Sequence, residues 1–290
     1  MNRKKSIVAI AAFLLCWISA SLCAAEPGRL PFYEARKGEV RLYVLGALHL
    51  GKEGESLRQD IALALSRSSQ LIMEVSSEEM PKAAWLMASR ICQDACLRRQ
   101  ISPASFAKLN VLGPGAAIER MPAWTVSMLL AIADATKAGL SPQWGTEQQL
   151  IKVWGNRPTK GLETPEEQIE ALASFEDNVQ REMLEGYLAL PEEKRVALTR
   201  TLYQLWQSGD ADALFEWYQK MNEEEKLPSD TARKVDEKMI FSRNRRFVER
   251  LQPLLVPNKP VFVAVGALHL GGDQGVLALL RAQGFNITTR

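Results

Sequence analysis

Apolar positions gather toward the two ends of the chain and thin into charged, helix-period segments between them. Residues 41–48 (RLYVLGAL) are rich in β-formers and run into a Gly-Ala-Leu-His stretch, the pattern of a strand. Residues 55–68 follow with Leu57, Ile61, Leu65 and Ser68 along one helical stripe, and 70–75 (QLIMEV) read as a second short strand. Strand, helix and strand within about thirty residues make a βαβ unit, which predicts two parallel, neighbouring strands. Their carboxyl ends then share one sheet edge, where ligands bind in open α/β folds.

From 78 to about 155 the pattern is mostly helical, with breaks at Pro103, Pro114, Pro122 and Pro142. Residues 160–163 (KGLE) read as another short strand end. A long charged helical stretch then covers 165–247, broken near Pro191, Ser208-Gly209 and Pro228. Residues 260–268 (PVFVAVGAL) are the clearest strand, apolar enough to be buried on both faces. A helix at 272–283 and a last strand at 285–289 close the chain. The expected architecture is one α/β domain over 26–290, with a central mixed sheet built from the N- and C-terminal segments and flanked by helices. A large helical insertion at about 78–250 is expected to cover one side.

The first twenty-five residues have the order of a secretory signal: Arg3, Lys4 and Lys5, an apolar core at 7–18, then Cys23-Ala24-Ala25 ahead of Glu26-Pro27. That core is short of the roughly 20 residues a membrane-spanning helix needs, which favours a cleaved leader over a retained anchor. Leu22 stands where a lipidated cysteine is preceded by a small residue, which argues against lipid attachment at Cys23. A periplasmic protein without a stable membrane span is expected. Of 36 basic and 34 acidic residues, three basic ones leave with the leader, so the remainder is close to neutral. That balance offers no basic patch for nucleic acid. Removal of the leader also removes Cys16 and Cys23. Cys92 and Cys96 remain, and in an oxidising compartment a lone pair most simply forms a disulfide. A zinc site would need two further ligands, and no histidine lies near them in sequence.

The chain has two histidines, and both lie in one duplicated hexapeptide. GALHLG at 46–51 contains His49, and GALHLG at 266–271 contains His269. Each copy follows an apolar strand and precedes a helix. Gly46 and Gly266 suit close backbone approach at a strand end, and Gly51 and Gly271 suit a sharp exit toward the helix. Histidine titrates near neutral pH and is the commonest metal ligand, so a repeated display of it at a sheet edge points to chemistry. Two glutamates end strands in the same way, Glu74 after LIM and Glu163 after KGL; such a carboxylate is costly unless paired or solvated. Two imidazoles and one or two carboxylates at one edge match the ligand set of a catalytic divalent metal that keeps a position open for water.

These motifs, in this order, resemble those of the TraB/PrgY/GumN family, which is similar to the TIKI metalloproteases. The resemblance covers nearly the whole chain after the leader. Beside the paired GxxH motifs and LIMEV, the segment GLETPEEQ at 161–168 resembles the family's middle motif, and Arg243-Asn244 matches an Arg-Asn pair before the last GxxH. Where the family often carries Gly-Ile-Asp, this chain has Gly145-Thr146-Glu147, an acidic group one methylene longer. Arg243 is either a helix-surface cation or a group that orients a carboxylate or binds a substrate oxygen. The resemblance implies a divalent-metal-dependent hydrolase of peptidase-like type, acting on a peptide or small molecule. His49, His269 and Glu74 would hold Mn, Co or Zn, with Glu74 as ligand or general base and Glu163 and Arg243 in support. The alternatives are a protein that sequesters a peptide or metal complex without turnover, and a metal-free esterase using a histidine as general base.

Overall fold

The structure, a computed structural model, describes residues 28–92, 94–110, 118–224 and 228–290. The expected leader at 1–25 and the expected break at Pro114 lie outside the described residues. A hairpin opens the sheet: β1 (Phe32–Lys37) and β2 (Val40–Ala47) pair antiparallel across a turn in which Gly38 takes φ +57°, which favours glycine. Helix α1 (Gln59–Ser66) leads to β3 (Gln70–Met73). Then come α2 (Met80–Ser89), α3 (Cys96–Gln100), α4 (Pro103–Asn110), α5 (Ala123–Lys137) and α6 (Thr146–Trp154), before a short β4 (Thr159–Gly161). Helices α7 (Pro165–Ala173), α8 (Asp177–Ala189), α9 (Glu192–Ser208), α10 (Ala211–Glu224) and α11 (Ser229–Asp236) follow. A π-helical turn (Glu237–Phe241) joins α11 to α12 (Ser242–Leu251). The chain closes with β5 (Val261–Gly266), α13 (Val276–Ala282) and β6 (Asn286–Thr289).

The six strands lie in the order β4-β3-β5-β2-β1-β6. β4, β3, β5 and β2 are mutually parallel, and β1 runs antiparallel to both of its neighbours. This is the expected α/β fold with a mixed, helix-flanked sheet. One expectation is corrected: β2 and β3 are parallel but not adjacent, because β5 lies between them. The reason is in the composition of β5. All but its last residue are buried, and it has ladder partners on both edges, so it takes the centre of the sheet. β2 is closed off on its other edge by the β1 hairpin.

The same demand corrects the expectation of helices from the insertion on one side only. On one face, Val44, Ile72 and Val263 pack with Phe247 and Leu251 of α12 and Leu280 of α13. On the other, Leu45, Leu71 and Phe262 pack with Ile61 and Leu65 of α1 and Leu150 and Trp154 of α6. Each fully buried side chain of this size stabilises the fold by roughly 1.5–3 kcal/mol. A satellite cluster beyond the sheet joins Leu97, Phe106, Val126 and Leu184. Cys92 and Cys96 are disulfide-bonded at the exit from α2. Among the described residues, no helix is long and apolar enough to cross a membrane.

Candidate functional site

The register puts both histidines at the same edge. Ala47 of β2 pairs with Gly266 of β5, and each motif then runs past the end of its strand. After β2, the His49 segment is zipped to the chain entering α6. Gly51 N–H donates to Ser141 C=O (3.0 Å), Ser141 N–H returns to Gly51 C=O (2.8 Å), and Thr146 N–H donates to Leu48 C=O (2.8 Å). Gly145 is needed here: a Cβ on it would lie 2.4 Å from the His49 carbonyl oxygen. Gly51 serves likewise, since its Cβ would fall 2.0 Å from the Trp144 carbonyl oxygen. This docking brings Glu147, in the first turn of α6, against the ring, with Oε1 2.9 Å from His49 Nδ1.

His269 sits at the end of the single 3-10 turn that follows β5, and it is buried. Its surroundings come from α12. Arg243 and Asn244 are consecutive there, and both point inward although the helix is charged along its exposed side. The Arg243 guanidinium uses all five of its N–H groups. Nε donates to Glu163 Oε2 (3.1 Å), and Nη2 donates to Glu163 Oε1 (2.6 Å) and Glu74 Oε2 (2.7 Å). Nη1 donates to the Met239 carbonyl (3.0 Å) and to His269 Nε2 (3.1 Å). Glu163 reaches this centre because its own N–H and that of Leu162 donate to the Glu74 carbonyl, tying the strand ends together. Gln168 Nε2 donates to both carboxylates, at 3.3 Å to Glu74 and 3.2 Å to Glu163. Glu74 Oε1 accepts from Gly266 N–H at 2.7 Å.

The electrostatics separate the groups sharply. Burial pushes the Glu74 carboxyl up, but the neighbouring imidazole of His269, the Arg243 guanidinium, His49 and the Gly266 N–H outweigh it and hold it at about 2. Glu163, with a fully buried side chain, is pushed up by burial against the downward pull of Arg243. Burial also holds His269 down, to about 4, so it is neutral at physiological pH. His49 moves the other way. The charge of Glu147, and the hydrogen bond to it, raise the imidazole to about 9, although its side chain is 72% exposed and water screens the pair. His49, Glu74 and Glu147 line one cavity of about 220 Å³, together with Met73, Met80 and Pro142. Glu163, Arg243 and His269 stand behind it and do not line it.

Residues 31–289 match one family across nearly all of the described chain. The chain belongs to the TraB/PrgY/gumN family. Among curated proteins it is similar to the uncharacterized protein YbaP of Escherichia coli (strain K12), 24% identical over 254 residues that span 84% of this chain and 89% of the relative. YbaP of Shigella flexneri matches at the same identity and coverage. No solved structure matches.

In this member of the TraB/PrgY/gumN family the residues expected to hold a divalent metal do not fit one as they are arranged. Both ring nitrogens of His269 are engaged, Nδ1 with Asn244 and Nε2 with Arg243. Both oxygens of Glu74 are engaged as well. The cation held between Glu74 and Glu163 is the guanidinium of Arg243. Among the described residues, no group of three His, Cys, Asp or Glu side chains is placed to hold an ion. Arg243 is not a surface cation but the buried centre of the cluster, and it orients carboxylates. Sequence reasoning left three groups without a role: Glu147 as the partner of His49, Asn244 as the partner of His269, and Gln168 bridging the carboxylates. Glu147 and Gln168 lie within family-like segments, and Asn244 is the second residue of the Arg-Asn pair.

Proposed function

We propose that the cavity at the carboxyl edge is the active site of a hydrolase that cleaves an ester or amide bond in a peptide or small molecule, with His49 as its general base. One observation carries this reading: at the mouth of the cavity lined by Glu74, His49 Nδ1 is held by Glu147 at 2.9 Å. The ring's other nitrogen has no protein partner among the described residues. Water held in the cavity gives its proton to His49 Nε2 as its oxygen attacks the carbonyl carbon. Glu147 stabilises the imidazolium that forms, and the imidazolium returns the proton to the leaving alcohol or amine. Glu74 contributes a fixed negative charge beside the reacting water, kept ionised by the groups around Arg243. Positioned general-base catalysis of this kind is worth about 10²–10⁴-fold.

The resemblance of the GxxH pair to the TIKI metalloproteases suggests the same bond cleavage with a bound ion as Lewis acid. The occupied donor set of His269 and Glu74 favours the metal-free form. The leader-like order of residues 1–25 and the Cys92–Cys96 disulfide support action in the periplasm. The test is a panel of esters and peptides offered to the purified protein, with and without EDTA. Turnover that survives EDTA and is lost in His49→Ala supports the reading. Turnover lost in EDTA and restored by Mn, Co or Zn overturns the metal-free form. Tight binding of panel members without turnover favours sequestration.

A further inference from the structure

The two copies of the hexapeptide place their histidines in opposite settings. His49 is exposed and its Nδ1 meets a carboxylate; His269 is buried and its Nδ1 meets a carboxamide. The donor and acceptor pattern around His269 can be traced without a free choice. The Gln274 backbone carbonyl can only accept, and it lies 2.8 Å from Asn244 Nδ2, so that atom is the amide nitrogen. The Asn244 oxygen therefore faces His269 Nδ1, at 2.6 Å, and Nδ1 must carry the proton. At the other end the Arg243 guanidinium can only donate. Its Nη1 lies 3.1 Å from His269 Nε2, which must offer a lone pair. Glu74 Oε1, 3.6 Å from Nε2, is too far for a hydrogen bond and makes no competing claim on a proton there. Phe247 packs against the ring, with the centroids 5.2 Å apart in an edge-on contact.

We propose that the duplicated histidines have divided their roles: His49 handles protons, whereas His269 is a positioning residue, locked as the Nδ1–H tautomer between Asn244 and Arg243, that aims Arg243 and through it Glu74. The chain from Gln274 through Asn244, His269 and Arg243 to Glu74 begins at a group that cannot donate and passes through one that cannot accept, so it admits a single arrangement. Such second-layer partners fix the orientation of the groups in front of them. The proposal rests on the proposed function only for what Glu74 does, and the tautomer is read without any turnover.

The chain has only two histidines, so a long-range proton–nitrogen NMR spectrum of uniformly ¹⁵N-labelled protein shows two imidazoles, assigned by loss of one set in His49→Gln. At neutral pH His269 should show a protonated Nδ1 and an unprotonated Nε2, unchanged by added Mn²⁺ or Zn²⁺. A proton on Nε2, or a His269 signal broadened or shifted by either ion at stoichiometric amounts, would overturn the proposal. Asn244→Ala leaves Arg243 donating to Nε2, so the Nδ1–H tautomer should persist while its Nδ1 proton signal shifts on losing its acceptor; a proton found on Nε2 in that variant counts against the Arg243 contact. Where a turnover assay exists, His269→Gln keeps an acceptor for Arg243 and should retain far more activity than His269→Ala. Equal loss in the two variants would assign His269 a direct chemical role. If either variant fails to fold, the wild-type spectrum still decides the tautomer.

Discussion

Arg243 grips Glu163 with two parallel hydrogen bonds, Nε to Oε2 at 3.1 Å and Nη2 to Oε1 at 2.6 Å, and both side chains are buried. A fork of this kind is rigid and charge-assisted, and it is the anchor from which the rest of the guanidinium reaches Glu74 and His269. Its removal leaves two carboxylates buried without their cation. Arg243→Ala is therefore expected to cost about 3–5 kcal/mol of stability. Arg243→Lys recovers little, because an ammonium cannot reproduce the fork or the five directed donors. Urea unfolding midpoints at constant slope measure this; a loss below about 1 kcal/mol in Arg243→Ala would show that the cluster relaxes around the gap.

The buried imidazole makes stability depend on pH with a definite sign. His269 is held at about 4 in the folded protein, against 6.5 for the free group. Between those values the unfolded chain binds a proton that the folded one refuses. Stability that is full above pH 6.5 is therefore lost as pH falls toward 4. Glu74 adds a second window: its ordinary value of 4.5 is lowered to about 2, so its contribution is lost between those two values. Denaturation midpoints taken across this range should fall in both windows. His269→Gln should flatten the upper one and narrow the lower one, because the His269 charge is the first of the groups that hold Glu74 down. A wild-type profile level from pH 6.5 to 4 contradicts a buried neutral imidazole.

Gly145→Ala tests the docking that aims Glu147. The added Cβ would meet the His49 carbonyl oxygen at 2.4 Å, and that oxygen belongs to a backbone zipped to the same segment. One of the two segments must move. Overpacking of this kind typically costs about 1–3 kcal/mol, and here it should also part Glu147 from His49. The expected signature is a modest drop in melting temperature with a larger fractional loss of turnover. Unchanged turnover would show that the His49–Glu147 contact is not part of the chemistry.

The disulfide should matter less than the clusters. Cys92 and Cys96 close a loop of only a few residues beside α3, and so short a loop restricts the unfolded chain little. The chain-entropy relation gives about 2 kcal/mol at most. Reduction under native conditions should lower the melting temperature by a few degrees and leave the site intact. Loss of His49-dependent activity on reduction would show that α2, whose Met80 lines the cavity, depends on the bridge.

Much of this was legible in the sequence because strong patterns carry it. β5 announces itself by unbroken apolar residues, and the repeated hexapeptide marks the two points where the sheet edge carries histidine. β1 was not legible: FYEARK alternates poorly, because Glu34 is buried among Arg36, Arg41 and Arg290 and reads as a surface residue. The order of strands was hidden for another reason. A βαβ unit fixes the direction of its two strands but not what is later inserted between them, and β5 arrives nearly two hundred residues after β3. The residue types at the site were readable, yet their roles were not. Whether Arg243 faces water or two carboxylates depends on which side of α12 meets the sheet, and no spacing reports that Glu147 reaches His49 across the chain.

The pH dependence of turnover gives the sharpest test of His49. Glu147 raises the imidazole to about 9, so at neutral pH most of the protein holds it protonated and only a small share has the free base. A reaction that needs the base form should therefore speed up as pH rises through the neutral and into the alkaline range. Glu147→Gln removes the charge that holds the proton. The ring then titrates closer to its ordinary 6.5, and the rising limb of the kcat/KM profile should move to lower pH. The same variant also loses the stabilisation of the imidazolium, so its plateau should be lower than the native one, even though more of the base form is present at pH 7. Those two shifts, a limb moved down and a plateau reduced, distinguish a general base from an acid. An imidazolium acting as general acid would give a native rate that falls toward alkaline pH and a Glu147→Gln rate that falls earlier. Profiles of kcat/KM for the two proteins, with the His49 ring followed by NMR over the same pH range, measure both. A native limb that rises with a midpoint unrelated to the His49 titration would remove His49 from the role of base.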